Sequence, residues 1–103
     1  MKFDFDYAKS VIKAEAEAIS SLADVVNGSF AEAVELIYNT TGSVIITGMG
    51  KAGIIGAKIS ATLASTGTPS HFLHPAEAVH GDLGRVQDND LIIALSHSGE
   101  SEE

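Results

Sequence analysis

Val44-Ile45-Ile46-Thr47-Gly48-Met49-Gly50-Lys51-Ala52-Gly53 decides the class of the fold. An apolar, β-branched run comes first, then a glycine-rich turn with one lysine, then an apolar pattern at helical spacing. That order reads as strand, phosphate-compatible turn, helix. With Val44, Ile45 and Ile46 apolar in succession between Ser43 and Thr47, the strand is expected to be buried on both faces, as in a parallel sheet covered by helices.

Downstream, Lys51 to Ser65 reads as a helix. Ile54, Ile55, Ile59 and Leu63 mark one face, and Gly53, Gly56, Ala57 and Ala61 are small enough to sit close to a sheet. Thr66-Gly67-Thr68-Pro69 stops it. Ser70 to His74 reads as a short strand, Pro75 to Val79 as a turn or short helix, and Gly81 to Gly84 as a loop. Leu91 to Leu95 is a third apolar strand, followed by the small-residue turn Ser96-His97-Ser98-Gly99-Glu100-Ser101. The pattern is βαβ(α)β, an α/β chain with a doubly wound parallel sheet. Three strands make a thin sheet, and the last turn is composed to start a helix. Residues 43–103 are therefore expected to be the front part of a longer domain.

Upstream, residues 4–27 read as one long amphipathic helix carrying Phe5, Ala8, Val11, Ile12, Ile19 and Leu22 at three- and four-residue spacing. Asn27-Gly28 is expected to end it with a left-handed cap. Ser29-Phe30-Ala31-Glu32 has the form of a capping box opening a second helix to about Tyr38, with Phe30, Val34 and Ile37 inward. The first helix is longer than one small sheet can cover, so a role between subunits stands beside packing on its own domain.

The chain has 103 residues, 45% of them apolar, which suits one small packed domain. Its formal net charge is −8, shared by both halves. No basic stripe exists, which argues against a nucleic-acid surface. Without cysteine there is neither disulfide nor thiolate metal site. No apolar run approaches the roughly 20 residues of a membrane helix, and Met1-Lys2-Phe3-Asp4 does not begin like a signal peptide. A soluble cytoplasmic protein is the expectation.

Four groups of residues carry chemistry. Gly48-x-Gly50-x-x-Gly53 matches the dinucleotide fingerprint by letter. Its companion acid is missing, because the second strand ends at His74-Pro75 and the nearest carboxylate is Glu77. The Walker pattern needs a glycine at position 45, where Ile45 stands. A purely structural role for these glycines leaves Lys51 unexplained at the carboxyl end of a central strand. The second group is Ser96, Ser98 and Ser101. With the N-terminus of a helix starting near Ser101, their hydroxyls would make a phosphate cradle; serines are also common in turns and caps. Third, His74, Glu77 and His80 offer imidazole and carboxylate donors, but their spacing of three is poor for a tetrahedral zinc site. Contacts to substrate hydroxyls suit them better. Finally, Glu100, Glu102 and Glu103 would stabilise a helix N-terminus, or supply a general base beside the cradle.

Taken together, Gly48-Met49-Gly50-Lys51, Ala64-Ser65-Thr66-Gly67-Thr68-Pro69, His74-Pro75-Ala76-Glu77-Ala78-Val79-His80-Gly81-Asp82-Leu83-Gly84 and Ser96-His97-Ser98-Gly99-Glu100-Ser101 resemble the sugar isomerase (SIS) domain, and within it the arabinose 5-phosphate isomerases. The histidine-bounded block is the most specific of these. The resemblance implies a three-layer αβα, flavodoxin-like fold. Residues 1–42 would be N-terminal helices of the same domain and residues 43–103 the N-terminal part of the SIS domain. It also implies a homo-oligomer, tetramer or dimer, with sites between subunits and no nucleotide cofactor. The implied reaction converts ribulose 5-phosphate to arabinose 5-phosphate, feeding 3-deoxy-octulosonate for lipopolysaccharide or capsule.

Residue by residue, the resemblance implies that Ser96, Ser98 and Ser101 hold phosphate and that Gly67, Thr68, His74 and His80 contact substrate. Lys51 and Glu103 become active-site residues, and His74 is linked to a zinc that inhibits rather than catalyses. His97 stands where close relatives have asparagine. A further acid and a catalytic histidine of the family lie beyond Glu103, so the 103-residue chain by itself is expected to be inactive. A sugar-phosphate-sensing SIS module without turnover, and a dinucleotide-binding half-domain, are the alternatives.

Overall fold

The computed structural model describes residues 1–100. Its elements are α1 (Phe5–Ser21), a 3-10 turn (Leu22–Val25), α2 (Gly28–Asn39), β1 (Val44–Gly48), α3 (Gly50–Ser65), β2 (Ser70–Phe72), α4 (Pro75–Val79), a second 3-10 turn (Asp82–Arg85) and β3 (Leu91–Leu95). The three strands form one parallel sheet in the order β2-β1-β3. The first strand in sequence is thus the central one, and the following connections cross to either side of it, as in a doubly wound sheet.

β1 forms the core. Val44, Ile45 and Ile46 are each 0% exposed, and Leu73 joins them. The double-sided burial expected from the apolar run is what its central place requires. β3 instead alternates half-buried and exposed residues, with Ile92 48% exposed.

α3 packs on β1 and β2 through its smallest residues. Gly53, Gly56 and Ser60 are buried, while Ile54 is 71% exposed and Ile55 58%. Of the small residues expected to lie close to the sheet, Gly53 and Gly56 do, whereas Ala57 and Ala61 are exposed. A Cβ on Gly53 would lie 2.5 Å from the Gly48 carbonyl oxygen, and one on Gly56 3.0 Å from Ile46 Cγ2. Only a side chain of hydrogen lets the helix lie this close. The places where side chains of Gly48 and Gly53 would begin are therefore filled by the chain's own backbone. Gly50, at φ 58°, makes the turn from strand into helix.

The chain resolves into two compact units, residues 1–35 and 36–103. In the first, α1 is capped by Asp4, whose Oδ1 accepts the Tyr7 N–H at 2.9 Å. The single helix expected over 4–27 ends at Ser21 and tightens into the 3-10 turn. Asn27 does not end it with a left-handed cap. Its Oδ1 accepts the N–H groups of Ser29 and Phe30, so Asn27 opens α2 and Gly28 is already helical. This displaces the capping box expected at Ser29 by two residues. The apolar residues of α1 and α2 remain exposed, including Phe5, Ile12, Ile19, Phe30, Val34 and Tyr38 (87%); Ile37 is half-buried.

At the amino end of the sheet, Asp90 accepts two backbone N–H groups: Ser43 on Oδ1 and Gln87 on Oδ2, each at 2.8 Å. The Gln87 bond, then the Ser43 bond, hold its carboxyl below the usual 3.8.

Two outcomes follow from these contacts. Gly53→Ala should lose about 1–3 kcal/mol of stability by overpacking, although alanine is favoured over glycine in helices by about 1 kcal/mol. An unchanged urea midpoint would mean the Gly48 carbonyl yields freely. For Asp90, a lowered folded pKa contributes stability above the unfolded value, and that contribution disappears as pH falls through the folded one. Asp90→Asn, which cannot accept both N–H groups, should lower stability at neutral pH and flatten its fall below about pH 4. Urea midpoints across pH 2.5–6 test this, and parallel curves for the two proteins would remove the assignment.

Candidate functional site

Beyond the carboxyl ends of β1 and β3 lies an open cavity of about 570 Å³. Its walls come from Thr47, Gly48, Met49, Lys51 and Ala52, from Pro75, and from Ala94 to Gly99, and its chemically active residues are Lys51, Ser96, His97 and Ser98. This is the end of a parallel α/β sheet at which ligands bind, because helix N-termini converge there.

α3 begins on this cavity without a capping side chain. Its N-cap residue is Met49, which makes no side-chain cap bond. The Gly53 N–H is held by the Met49 carbonyl at 3.3 Å. The N–H groups of Gly50, Lys51 and Ala52 precede the first intrahelical bond and have no helical partner. Those donors and the positive end of a 16-residue helix favour an anion. Lys51, exposed in the first turn, adds an ammonium, and it forms no ion pair among the described residues.

The serine turn supplies the opposite wall. Ser96 Oγ accepts the Gly99 N–H at 2.8 Å, and Ser98 Oγ accepts the Glu100 N–H at 3.1 Å. Each hydroxyl spends a lone pair on the backbone and keeps its proton to donate. Two such O–H donors, three helix N–H groups and one ammonium are the kind of donor set that a dianion such as a phosphate monoester asks for.

Other expected residues lie elsewhere. Gly67 and Thr68 end α3: Gly67 takes φ 102°, and the Thr68 N–H donates to the Leu63 carbonyl at 2.9 Å. This is a Schellman cap, which accounts for the glycine locally. α3 is about 24 Å long at 1.5 Å per residue, and it carries the chain back to the amino end of the sheet. Gly67 and Thr68 therefore sit at the end opposite Lys51. His74 follows β2 on the cavity side, next to Pro75, and caps α4: its Nδ1 accepts the Ala76 N–H at 3.1 Å. His80 closes α4 as its exposed C-cap residue. Ser101 and Glu103 lie outside the described residues.

Three features were missed by reading residues alone: Thr47, the uncapped start of α3, and His97 in the cavity wall. A methionine at the N-cap, where Ser, Thr, Asp or Asn would be ordinary, is the signal for the second. His97 could be suspected only from standing between two cradle serines. His71 is mid-strand in β2, with a buried Nε2 that has no partner among the described residues.

Among those residues no three of His, Cys, Asp or Glu converge as a metal site. No helix among them is long and apolar enough to cross a membrane.

A model of the SIS domain matches residues 36–103. The chain belongs to the SIS domain family. It is 52% identical over 102 residues to the arabinose 5-phosphate isomerase KdsD of Salmonella typhi, covering 98% of this chain and 31% of that protein. It is 49% identical over 96 residues to the KdsD of Pseudomonas aeruginosa, covering 93% of this chain and 29% of that protein. A solved Escherichia coli CFT073 protein in complex with arabinose 5-phosphate superposes with a TM-score of 0.84 at 41% identity, over 96% of this chain and 55% of the other. The SIS chain thus spans about a third of the length of the curated relatives it matches.

The hydroxyls of the SIS cavity are the simplest part to test. Ser96→Ala removes both an O–H donor and the acceptor for Gly99, and should weaken inorganic phosphate binding roughly tenfold or more, as for a hydrogen bond to a charged group. NMR titration with phosphate reads this, and equal affinities would take Ser96 out of the cradle.

Proposed function

We propose that the chain is the phosphate-binding front of an arabinose 5-phosphate isomerase, converting ribulose 5-phosphate to its aldose through a cis-enediolate. The observation that carries this reading is the convergence of Lys51 with the Ser96 and Ser98 hydroxyls around one cavity. The identity with the KdsD proteins supports the choice of sugar. A dinucleotide site is disfavoured, since β2 ends at Phe72 and Leu73-His74-Pro75 follow it without a carboxylate for a ribose.

The chemistry moves one proton between neighbouring carbons. A base takes a proton from C1 of the ketose while negative charge develops on the C2 oxygen. Returning the proton to C2 and moving the hydroxyl proton from O1 to O2 gives the aldose. Negative charge on the substrate oxygen needs a cation or donor, and we assign that role to Lys51, in the first turn of α3. The base we assign is Glu103, by likeness to the family; it lies outside the described residues. The phosphate would rest on Ser96, Ser98 and Ser101, with His74 and His80 contacting sugar hydroxyls.

Gly67 and Thr68 cannot reach the same sugar as Lys51 from one chain. The proposal therefore places them in the site of a neighbouring copy, in a homo-oligomer. The exposed apolar residues of α1 and α2 support this use of residues 1–42, as helices of the domain that serve contacts between subunits. The intracellular supply of the sugar phosphate makes the cytoplasm the place of action, and synthesis of a lipopolysaccharide or capsule sugar the destination of the product.

The test is a chimera in which these residues replace the matching third of the Salmonella typhi enzyme. It should interconvert the two pentose phosphates, and Lys51→Met should reduce turnover at least a hundredfold, with the circular dichroism unchanged. A folded chimera that binds arabinose 5-phosphate without turnover would point instead to a sensing module. Full activity in Lys51→Met would remove the lysine from the chemistry.

A further inference from the structure

His74 makes one bond with two consequences. Its Nδ1 accepts the backbone N–H of Ala76 at 3.1 Å, capping α4. With the ring turned over, a C–H would face that N–H and the cap would be lost. An imidazole nitrogen that accepts carries no proton, so in the neutral ring the proton is on Nε2.

α4 is short, five residues, and it begins with Pro75 at its first position. Pro75 is buried and is also part of the cavity wall. Proline contributes no N–H of its own, so the Ala76 N–H is the first that needs a partner. The ring of His74 also meets Phe72 edge-on, with centroids 6.4 Å apart. The cap bond and this contact hold the imidazole, and the imidazole holds the start of the helix that walls the cavity.

A metal at this ring asks for the opposite arrangement. A neutral imidazole bound through Nε2 has its proton on Nδ1 and donates it to an acceptor. Here Nδ1 faces a donor. The zinc implied by family resemblance therefore does not fit His74 as it stands, nor do other His or acidic residues among those described gather around it.

We propose that His74 is a positioning residue: it caps α4 and thereby sets the cavity wall at Pro75, and its free edge is a fixed Nε2–H donor. Metal binding at this imidazole and an intact α4 cap are mutually exclusive. The donor's target, an oxygen of the sugar, rests on the isomerase reading; the cap, the tautomer and the exclusion of metal do not.

The test needs no sugar. Long-range proton–nitrogen NMR of the free protein should show His74 as the Nε2–H tautomer. Asparagine places an oxygen where Nδ1 stands, and glutamine places its amide where Nε2 stands. Hence H74N should keep the Ala76 amide protected from exchange, whereas H74Q should lose protection roughly three- to thirtyfold, the range for loss of an N-cap. Titration with zinc chloride should either leave the His74 resonances unmoved or shift them together with loss of Ala76 protection. An Nδ1–H tautomer in the free protein would overturn the proposal. So would zinc bound at His74 with Ala76 still protected. Neither result would touch the isomerase reading, and an inactive chimera would leave the tautomer standing.

Discussion

The close seating of α3 on β1 is the constraint on which the rest of the structure depends. It is set by backbone volume, since the Gly48 carbonyl occupies the place where a side chain of residue 53 would begin. Seated this way, the helix starts immediately beyond the strand, at the open end of the sheet. Its unpartnered N–H groups and Lys51 then face the serine turn across the cavity. Any greater separation would leave a void against Ile46 and Phe72 and carry the lysine away from the hydroxyls. The glycine pattern that looks like a ligand motif is, in the first instance, a packing motif. The candidate site is the cavity that this packing leaves at the helix end.

Much of this was legible in the residues. The run at Val44 announced a doubly covered strand, and Leu91 to Leu95 and Pro75 to Val79 were placed to the residue. Element ends were less readable where side chains and backbone compete for the same N–H. Asn27 looked like a terminator and is a cap, because its side chain reaches forward to Ser29 and Phe30. The inward face of α3 was legible in part: Gly53 and Gly56 were named as able to lie close to the sheet, and Ala57 and Ala61, named with them, are exposed. The isoleucines stay exposed because the sheet admits only glycine and serine at that distance. Burial follows the room available as well as the affinity for water, and only the fold discloses the room.

The site was legible in part. Lys51, Ser96 and Ser98 line one cavity, as their positions after two apolar strands suggested. Gly67 and Thr68 belong to another end of the molecule, and a linear reading has no means of separating residues a helix apart. Their local geometry is complete without a ligand, as a helix terminus closed by two backbone bonds. The histidine block also divides: His74 is held by the backbone it caps, while His80 merely follows the last turn of α4. Equal-looking histidines six residues apart thus differ in how much orientational freedom they bring to a ligand.

The double grip of Asp90 has a consequence for how the chain assembles. Its carboxylate joins Gln87, three residues away, to Ser43, 47 residues away. One side chain therefore completes a local turn and closes the longest loop in the sheet. Closing so long a loop has a large entropic cost that grows only slowly with further length. The turn at Gln87 can form beforehand, which presents the second carboxylate oxygen in a fixed direction. When Ser43 arrives, only one alignment of β3 against β1 satisfies both oxygens. A slip by one residue would turn Ile93 and its neighbours to the wrong face of the sheet. Asp90 thus acts as an index mark for strand registration, placed where pairing begins and at the far end of the sheet from the cavity.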